Sequence, residues 1–155
     1  MRAGIALGSN LGDRKALLTE ATTQLHSIHE RGPFLSSALH ETEPVDCPSD
    51  SPRFLNGVVE LETSLSPMEL LDRLQHLEIA SGRGKVHGRN TPRTLDLDLL
   101  YCDAMTLCAP ELEIPHPRMT ERLFVLVPLA EIRPELRLPG WSMSCSEYLL
   151  YLNNK

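Results

Sequence analysis

The sequence predicts a ferredoxin-like α+β sandwich, an antiparallel sheet backed by helices and joined by flexible loops, as a single domain over residues 1–155. Its apolar residues switch between strand and helix periods in the order β-α-β-β-α-β. The breaks between those segments fall on Gly, Pro and helix-capping residues. A chain of 155 residues is also the right size for one core.

Ala3 to Leu7 reads as a buried strand, closed by Gly8-Ser9-Asn10-Leu11-Gly12. Asp13 is a good N-cap for a first helix, in which Leu17, Leu18, Ala21, Leu25 and Ile28 recur at helical spacing until Gly32-Pro33. Residues 34–42 read as a second strand, residues 43–53 as a loop with three prolines, and Phe54 to Glu62 as a third strand. Ser66-Pro67-Met68-Glu69 combines a capping box with proline at the first helical position. Leu70, Leu71, Leu74 and Leu77 are the stripe of that second helix, which Gly82 ends. Residues 83–94 form a polar, basic loop, and Leu95 to Tyr101 a fourth strand. The rest is expected to add a proline-rich loop, a helix over Leu123–Ile132 and a short helix ending near Leu152.

Hydrophobic residues make up 41% and charged residues 23%, with a net charge of -6. That balance argues against a nucleic-acid coat, although a local basic patch can still hold a phosphorylated small molecule. An RNA-binding sheet of the same topology would want aromatic residues on its central strands, and the chain has three Phe. Cys47, Cys102, Cys108 and Cys145 form neither a C-x-x-C pair nor a zinc-finger spacing, so free thiols in a cytoplasmic protein are expected. No leader is expected, because Met1-Arg2 runs straight into the first strand, and no run is long enough for a membrane span.

The sharpest local feature is Arg93-Thr94-Leu95-Asp96-Leu97-Asp98-Leu99-Leu100. Alternation along a strand puts Asp96 and Asp98 on one face, about 7 Å apart, and Leu95, Leu97 and Leu99 on the other. Such a pair suits Mg2+ shared with phosphate oxygens; it equally suits a half-buried strand with one solvated face. The adjoining RGKVHGRNTPR, residues 83–93, holds Arg83, Lys85, Arg89 and Arg93 with no acid, a local inversion of the chain's charge. Metal ligands on one side and guanidinium groups on the other make a polyphosphate site, and Gly84 and Gly88 would let the loop close as a lid.

His116 lies between prolines, in Ile114-Pro115-His116-Pro117-Arg118, with Arg122 following. It is a structural histidine, a phosphate donor or a general acid or base; the sequence does not choose. Gly8 to Gly12 reads better as a tight turn than as a phosphate cradle, since it matches neither common nucleotide loop. Phe54 and Asn56 share a strand face that suits a flat heterocycle, and a core Phe is the plainer alternative.

Together these pieces resemble the 6-hydroxymethyl-7,8-dihydropterin pyrophosphokinase family. The similar stretches are GSNLG at 8–12, ETEPV at 41–45, FLNGVVELET at 54–63, LLDRLQHLE at 70–78, GR at 82–83, PRTLDLDLL at 92–100 and IPHPRMTERLFVLVPLAEIRPE at 114–135. The resemblance implies a monomer with flexible catalytic loops that transfers diphosphate from ATP to the hydroxymethyl oxygen of 6-hydroxymethyl-7,8-dihydropterin, releasing AMP, in folate biosynthesis. It implies two Mg2+ ions on Asp96 and Asp98, and ATP contacts from Gln75, Glu78, Lys85, Arg89, Arg93, His116 and Arg122, with Arg83 and Arg93 assisting catalysis. The pterin is then expected between Phe54 and Phe124, read by Asn56 and by backbone near Thr42 and Val45. Asn90 stands where several members have an aromatic residue, Lys85 where arginine is frequent and His40 where tyrosine is common. Glu111 and Glu113 lie on a segment that contacts adenine in the family. No fused folate-pathway domain is expected. The competing expectation is a non-catalytic ferredoxin-like module that binds a small ligand.

Overall fold

The fold is taken from a computed structural model that describes residues 1–10, 13–42, 53–81 and 95–154. Strand β1 is Arg2–Ser9, helix α1 Arg14–Ile28, β2 Leu35–Ser36, β3 His40–Thr42, β4 Phe54–Glu62, α2 Pro67–Ala80 and β5 Asp96–Cys102. Two short strands follow, β6 Leu107–Cys108 and β7 Glu113–Ile114, then a 3-10 turn Met119–Glu121, α3 Leu123–Ile132 and α4 Cys145–Asn153. The sheet runs β2-β4-β1-β5 with β3 also on β4, and each pairing is antiparallel. Counting β2 and β3 as one interrupted strand recovers the expected βαββαβ order. Among the described residues, no helix is long and apolar enough to cross a membrane.

Strand parity divides the molecule into two layers of core. Ala3, Ile5 and Leu7 of β1, Val59 and Leu61 of β4, and Leu97 and Leu99 of β5 face α1 and α2. There they meet Leu18, Ala21 and Leu25 and, from α2, Leu70 and Leu74. Each fully buried leucine contributes about 1.5–3 kcal/mol by leaving water. The opposite sheet face packs Val58, Leu100 and Tyr101 against Val125, Leu126 and Leu129 of α3 and Cys145 of α4. Both faces of β4 are therefore covered along part of its length, and Asn56 through Leu61 are all buried.

The caps act as the sequence predicts. Asp13 accepts from the Ala16 amide, and Ser66 and Glu69 exchange both bonds of the capping box. Several boundaries differ. Helix α1 stops at Ile28 rather than at Gly32, because the His29 ring is engaged outside the helix: Nδ1 accepts from the Glu62 amide and Nε2 meets the Gly32 carbonyl. The strand expected over 34–42 is split. Between Ser36↔Val59 and His40↔Asn56, three residues oppose two, a bulge. Across it, Ser37 Oγ accepts from Val58 N, and Glu131 of α3 accepts from Ala38 N at 2.9 Å. The stretch expected as a proline-rich loop holds the β6–β7 pair and the 3-10 turn.

A second bulge shapes β5. Ile5 pairs with Leu99 but Gly4 pairs with Tyr101, so Leu100 is extra and both Leu100 and Tyr101 reach the second core. The Tyr101 ring lies over Gly4, where a Cβ would come within 2.1 Å of it. Tyr101 Oη donates to Glu60, which is 1% exposed and also bonds Arg2 Nε at 3.0 Å and Arg133 Nη1 at 2.7 Å. This network ties three strands to the end of α3.

Candidate active site

Helices α3 and α4 cover the second sheet face only in part. Where α3 begins, the sheet stays open as a cleft of about 740 Å³, lined by Gly8, Thr42, Phe54, Asn56, Asp96, Asp98 and Phe124 among others. Register explains who meets there. Gly8 is paired with Asn56 on one side and Asp96 on the other, and Ala6 with Val58 and Asp98. Directly paired residues share a face, so Asn56, Gly8 and Asp96 form one row across the three strands. Asp98 sits in the next row. With Gly8 and Ala6 between them, the floor of the cleft carries little side-chain bulk.

At one end of that row Asn56 is 6% exposed, and its Nδ2 donates to Thr42 Oγ1 at 2.6 Å. Phe54 shares the face, paired with Thr42, and is half-buried at the cleft wall rather than set in the core. Phe124, at the second position of α3, is half-buried on the same cleft, with the Arg122 guanidinium 5.4 Å from its ring centre. Two half-buried rings and a fixed amide on one wall have the chemistry to take a flat polar heterocycle.

At the other end of the row, Asp96 and Asp98 are half-buried and line the cleft, while Leu97 and Leu99 are core. Among the described residues, no group of three or more His, Cys, Asp or Glu is placed to hold a metal. Two carboxylates on one open strand face fit Mg2+, which takes few protein ligands and completes its shell with water and phosphate oxygens.

His116 is brought to this end by its own backbone, whose N–H donates to Leu100 O at 2.8 Å. Its Nδ1 accepts from Arg118 N at 3.3 Å, which in the neutral ring puts the proton on Nε2. Burial lowers its pKa; Asp98 works against that, and Arg122 and Arg118 add to it. The neutral form is favoured, and with Nδ1 engaged the ring is a donor. His116 does not itself line the cleft, so the geometry leaves its role open.

Arg118, Glu121, Arg122 and Leu123 complete the wall. The sequence reading singles out Arg122 but not Arg118, Glu121 or Gly8. Arg118 stands in the Pro-His-Pro-Arg motif, whereas nothing near Gly8 along the chain reveals the Asn56 and Asp96 that flank it in the sheet.

Other expected residues lie elsewhere. Gln75 is exposed on α2, and Glu78 is half-buried with Oε2 accepting from Leu97 N at 2.8 Å, on the edge of β5; neither lines the cleft. His40, on β3, pairs with Glu131 of α3. Val45, Arg83, Lys85, Arg89, Arg93 and Asn90 lie outside the described residues, as do Cys47, the loop over 83–94 and part of Gly8–Gly12. Cys102, Cys108 and Cys145 are free thiols.

Residues 4–134 match the model of the 7,8-dihydro-6-hydroxymethylpterin-pyrophosphokinase family. The 2-amino-4-hydroxy-6-hydroxymethyldihydropteridine pyrophosphokinase of Pseudomonas aeruginosa is 43% identical over 138 residues, which cover 89% of this chain and 84% of that protein. The protein of the same name from Bacillus subtilis is 47% identical over 130 residues, 84% of this chain and 77% of that one. A Plasmodium falciparum HPPK-DHPS crystal structure, wild type with pteroate, superposes with a TM-score of 0.72 at 16% identity. It covers 97% of this chain, which spans 42% of that longer chain, and the likeness is one of fold. The chain belongs to the 7,8-dihydro-6-hydroxymethylpterin-pyrophosphokinase family.

Proposed function

We propose that the cleft over β1, β4 and β5 carries out the family's reaction, transfer of a diphosphoryl group from ATP to the hydroxymethyl oxygen of 6-hydroxymethyl-7,8-dihydropterin in folate biosynthesis. The observation that carries this reading is the row Asn56–Gly8–Asp96 with Asp98 in the next row, in a cavity that also holds the Phe54 and Phe124 rings. Phe54 and Phe124 hold the ring, and Asn56, fixed by Thr42, reads its polar edge. Neighbouring strands lie about 4.8 Å apart, so Asn56 and Asp96 stand roughly 10 Å apart across Gly8. That spacing suits a pterin whose short arm reaches the carboxylates.

In the transfer, the hydroxymethyl oxygen bonds to the β-phosphorus as the bond from that phosphorus to the α,β-bridging oxygen breaks. AMP leaves with the bridging oxygen and its electron pair, and the hydroxyl proton ends in water. The chain's part is to align the reactants and to meet the charge. His116 donates from Nε2 to a phosphate oxygen, and Arg122 adds a fixed positive charge beside Phe124. Mg2+, two ions in this reading, would be held by Asp96 and Asp98 with phosphate oxygens, screening the polyphosphate and lowering the proton affinity of the hydroxyl. Gln75 and Glu78 on α2, with Lys85, Arg89 and Arg93, belong to the nucleotide half, and Arg83 and Arg93 to the closing loop. The same reading takes one 155-residue domain, monomeric and cytoplasmic, as the working unit.

The test is AMP release from ATP that requires both Mg2+ and 6-hydroxymethyl-7,8-dihydropterin. Binding of the pterin without AMP formation would favour the non-catalytic ligand-binding module instead.

A further inference from the structure

Arg118 and Arg122 flank the 3-10 turn Met119–Glu121 as its two caps, and both line the cleft. The turn is closed by Glu121 N to Arg118 O at 3.1 Å, and Met119 at its start is fully buried in the second core. The backbones that carry the two guanidinium groups are therefore fixed. Among the described residues, neither group makes an ion pair; Arg122 rests on the Phe124 ring, and Arg118 bonds others through its backbone N–H and carbonyl. Arg2 and Arg133, by contrast, are both spent on buried Glu60. The charges of Arg118 and Arg122 both bear on His116, beside Asp98, although burial is the larger influence on that ring.

What an anion at this wall belongs to follows from its neighbours. The same cavity holds the heterocycle slot of Phe54, Asn56 and Phe124, while Gln75 and Glu78 of the nucleotide half lie outside it. After the transfer, the anionic group in that cavity is the diphosphoryl group borne on the pterin's arm, next to the ring that Phe54 and Phe124 hold. Resting on the reaction proposed above, we infer that Arg118 binds the diphosphoryl group once it is carried by the pterin, paired with Arg122 across the 3-10 turn, and that Glu121 on the same wall weakens this hold. A guanidinium can give two charge-assisted hydrogen bonds to phosphate oxygens. Glu121 lines the same cavity, so its negative charge opposes the anion and keeps the product from binding too tightly to leave.

The test compares two ligands that differ only in the anion: 6-hydroxymethyl-7,8-dihydropterin and its diphosphate ester, titrated calorimetrically with Mg2+ present. Arg118→Ala should reduce the advantage of the ester over the alcohol by about tenfold or more, with the alcohol's own affinity held within about twofold. Arg118→Lys, which keeps the charge and loses the fork, should restore part of the advantage and serves if the alanine variant does not fold. Glu121→Gln should enlarge the advantage. An unchanged ratio in Arg118→Ala, or an equal loss for alcohol and ester, overturns the assignment; a smaller ratio in Glu121→Gln overturns the part given to Glu121. If the wild-type chain releases no AMP, the reaction itself is refuted. Inorganic pyrophosphate with Mg2+, titrated into wild type and Arg118→Ala, then still decides whether Arg118 holds a diphosphate.

Discussion

Gly8→Ala should damage pterin binding while leaving the fold and the nucleotide half intact. A Cβ at position 8 would stand 2.9 Å from Asn56 Oδ1, closer than van der Waals contact allows, with Leu55 O next at 3.9 Å. The Asn56 amide must therefore move. It cannot turn freely, because Asn56 is 6% exposed and its Nδ2 is bonded to Thr42 Oγ1 at 2.6 Å. Turning it breaks that bond and misaligns the edge that reads the heterocycle. Leaving such groups imperfectly paired costs about 1–3 kcal/mol, or roughly 5- to 150-fold in affinity. Calorimetric titration with a hydroxymethylpterin and, separately, with a non-hydrolysable ATP analogue measures both halves. The reasoning predicts loss confined to the pterin. Pterin affinity within about twofold of wild type, or an equal loss for both ligands, would refute it.

Asp96→Asn and Asp98→Asn, each half-buried on the open face, should fold normally and lose about a thousandfold or more in AMP release at saturating Mg2+; near-normal turnover removes the metal assignment. Glu60→Ala leaves Arg2, Arg133 and Tyr101 without their shared acceptor and should cost about 3–5 kcal/mol, toward the lower figure because both arginines reach solvent. A urea-unfolding loss below about 1 kcal/mol contradicts that network's role. Glu30, Glu69 and Glu147 all have pKa values held below the ordinary 4.5, in each case first by a backbone amide, of Ser64, Ser66 and Ser144 respectively. The unfolded chain binds more protons as pH drops through 4.5, so the stabilisation is present above that value and lost toward the lower folded values. Stability flat from about pH 6 to about pH 3 would contradict it.

What the sequence disclosed was governed by neighbours close along the chain. Ser66 and Glu69 are three residues apart, so the capping box and helix α2 were readable, as was α3 over Leu123–Ile132. Alternation put Asp96 and Asp98 opposite Leu97 and Leu99, and the sheet agrees. Hidden features depend on partners far away in sequence. Glu60 reads as a solvated strand residue until Arg2, Tyr101 and Arg133 converge on it. The strand expected over 34–42 breaks at a bulge whose Ala38 amide is taken by Glu131, ninety-three positions on. Gly8 reads from its sequence neighbours as part of a turn, because the reason for its small size, Asn56, comes from another strand. Arg118 was visible beside His116, but the cavity that gives it a purpose exists only once α3 packs on the sheet.

A crystal structure with hydroxymethylpterin, a non-hydrolysable ATP analogue and Mg2+ tests the central claim most directly, that one cleft joins a pterin slot to a diphosphate-transfer centre. The account predicts the ring between Phe54 and Phe124, its polar edge on Asn56, and Mg2+ bridging Asp96, Asp98 and the phosphates above β5. A pterin bound away from Asn56, or metal and phosphates bound away from Asp96 and Asp98, would contradict it.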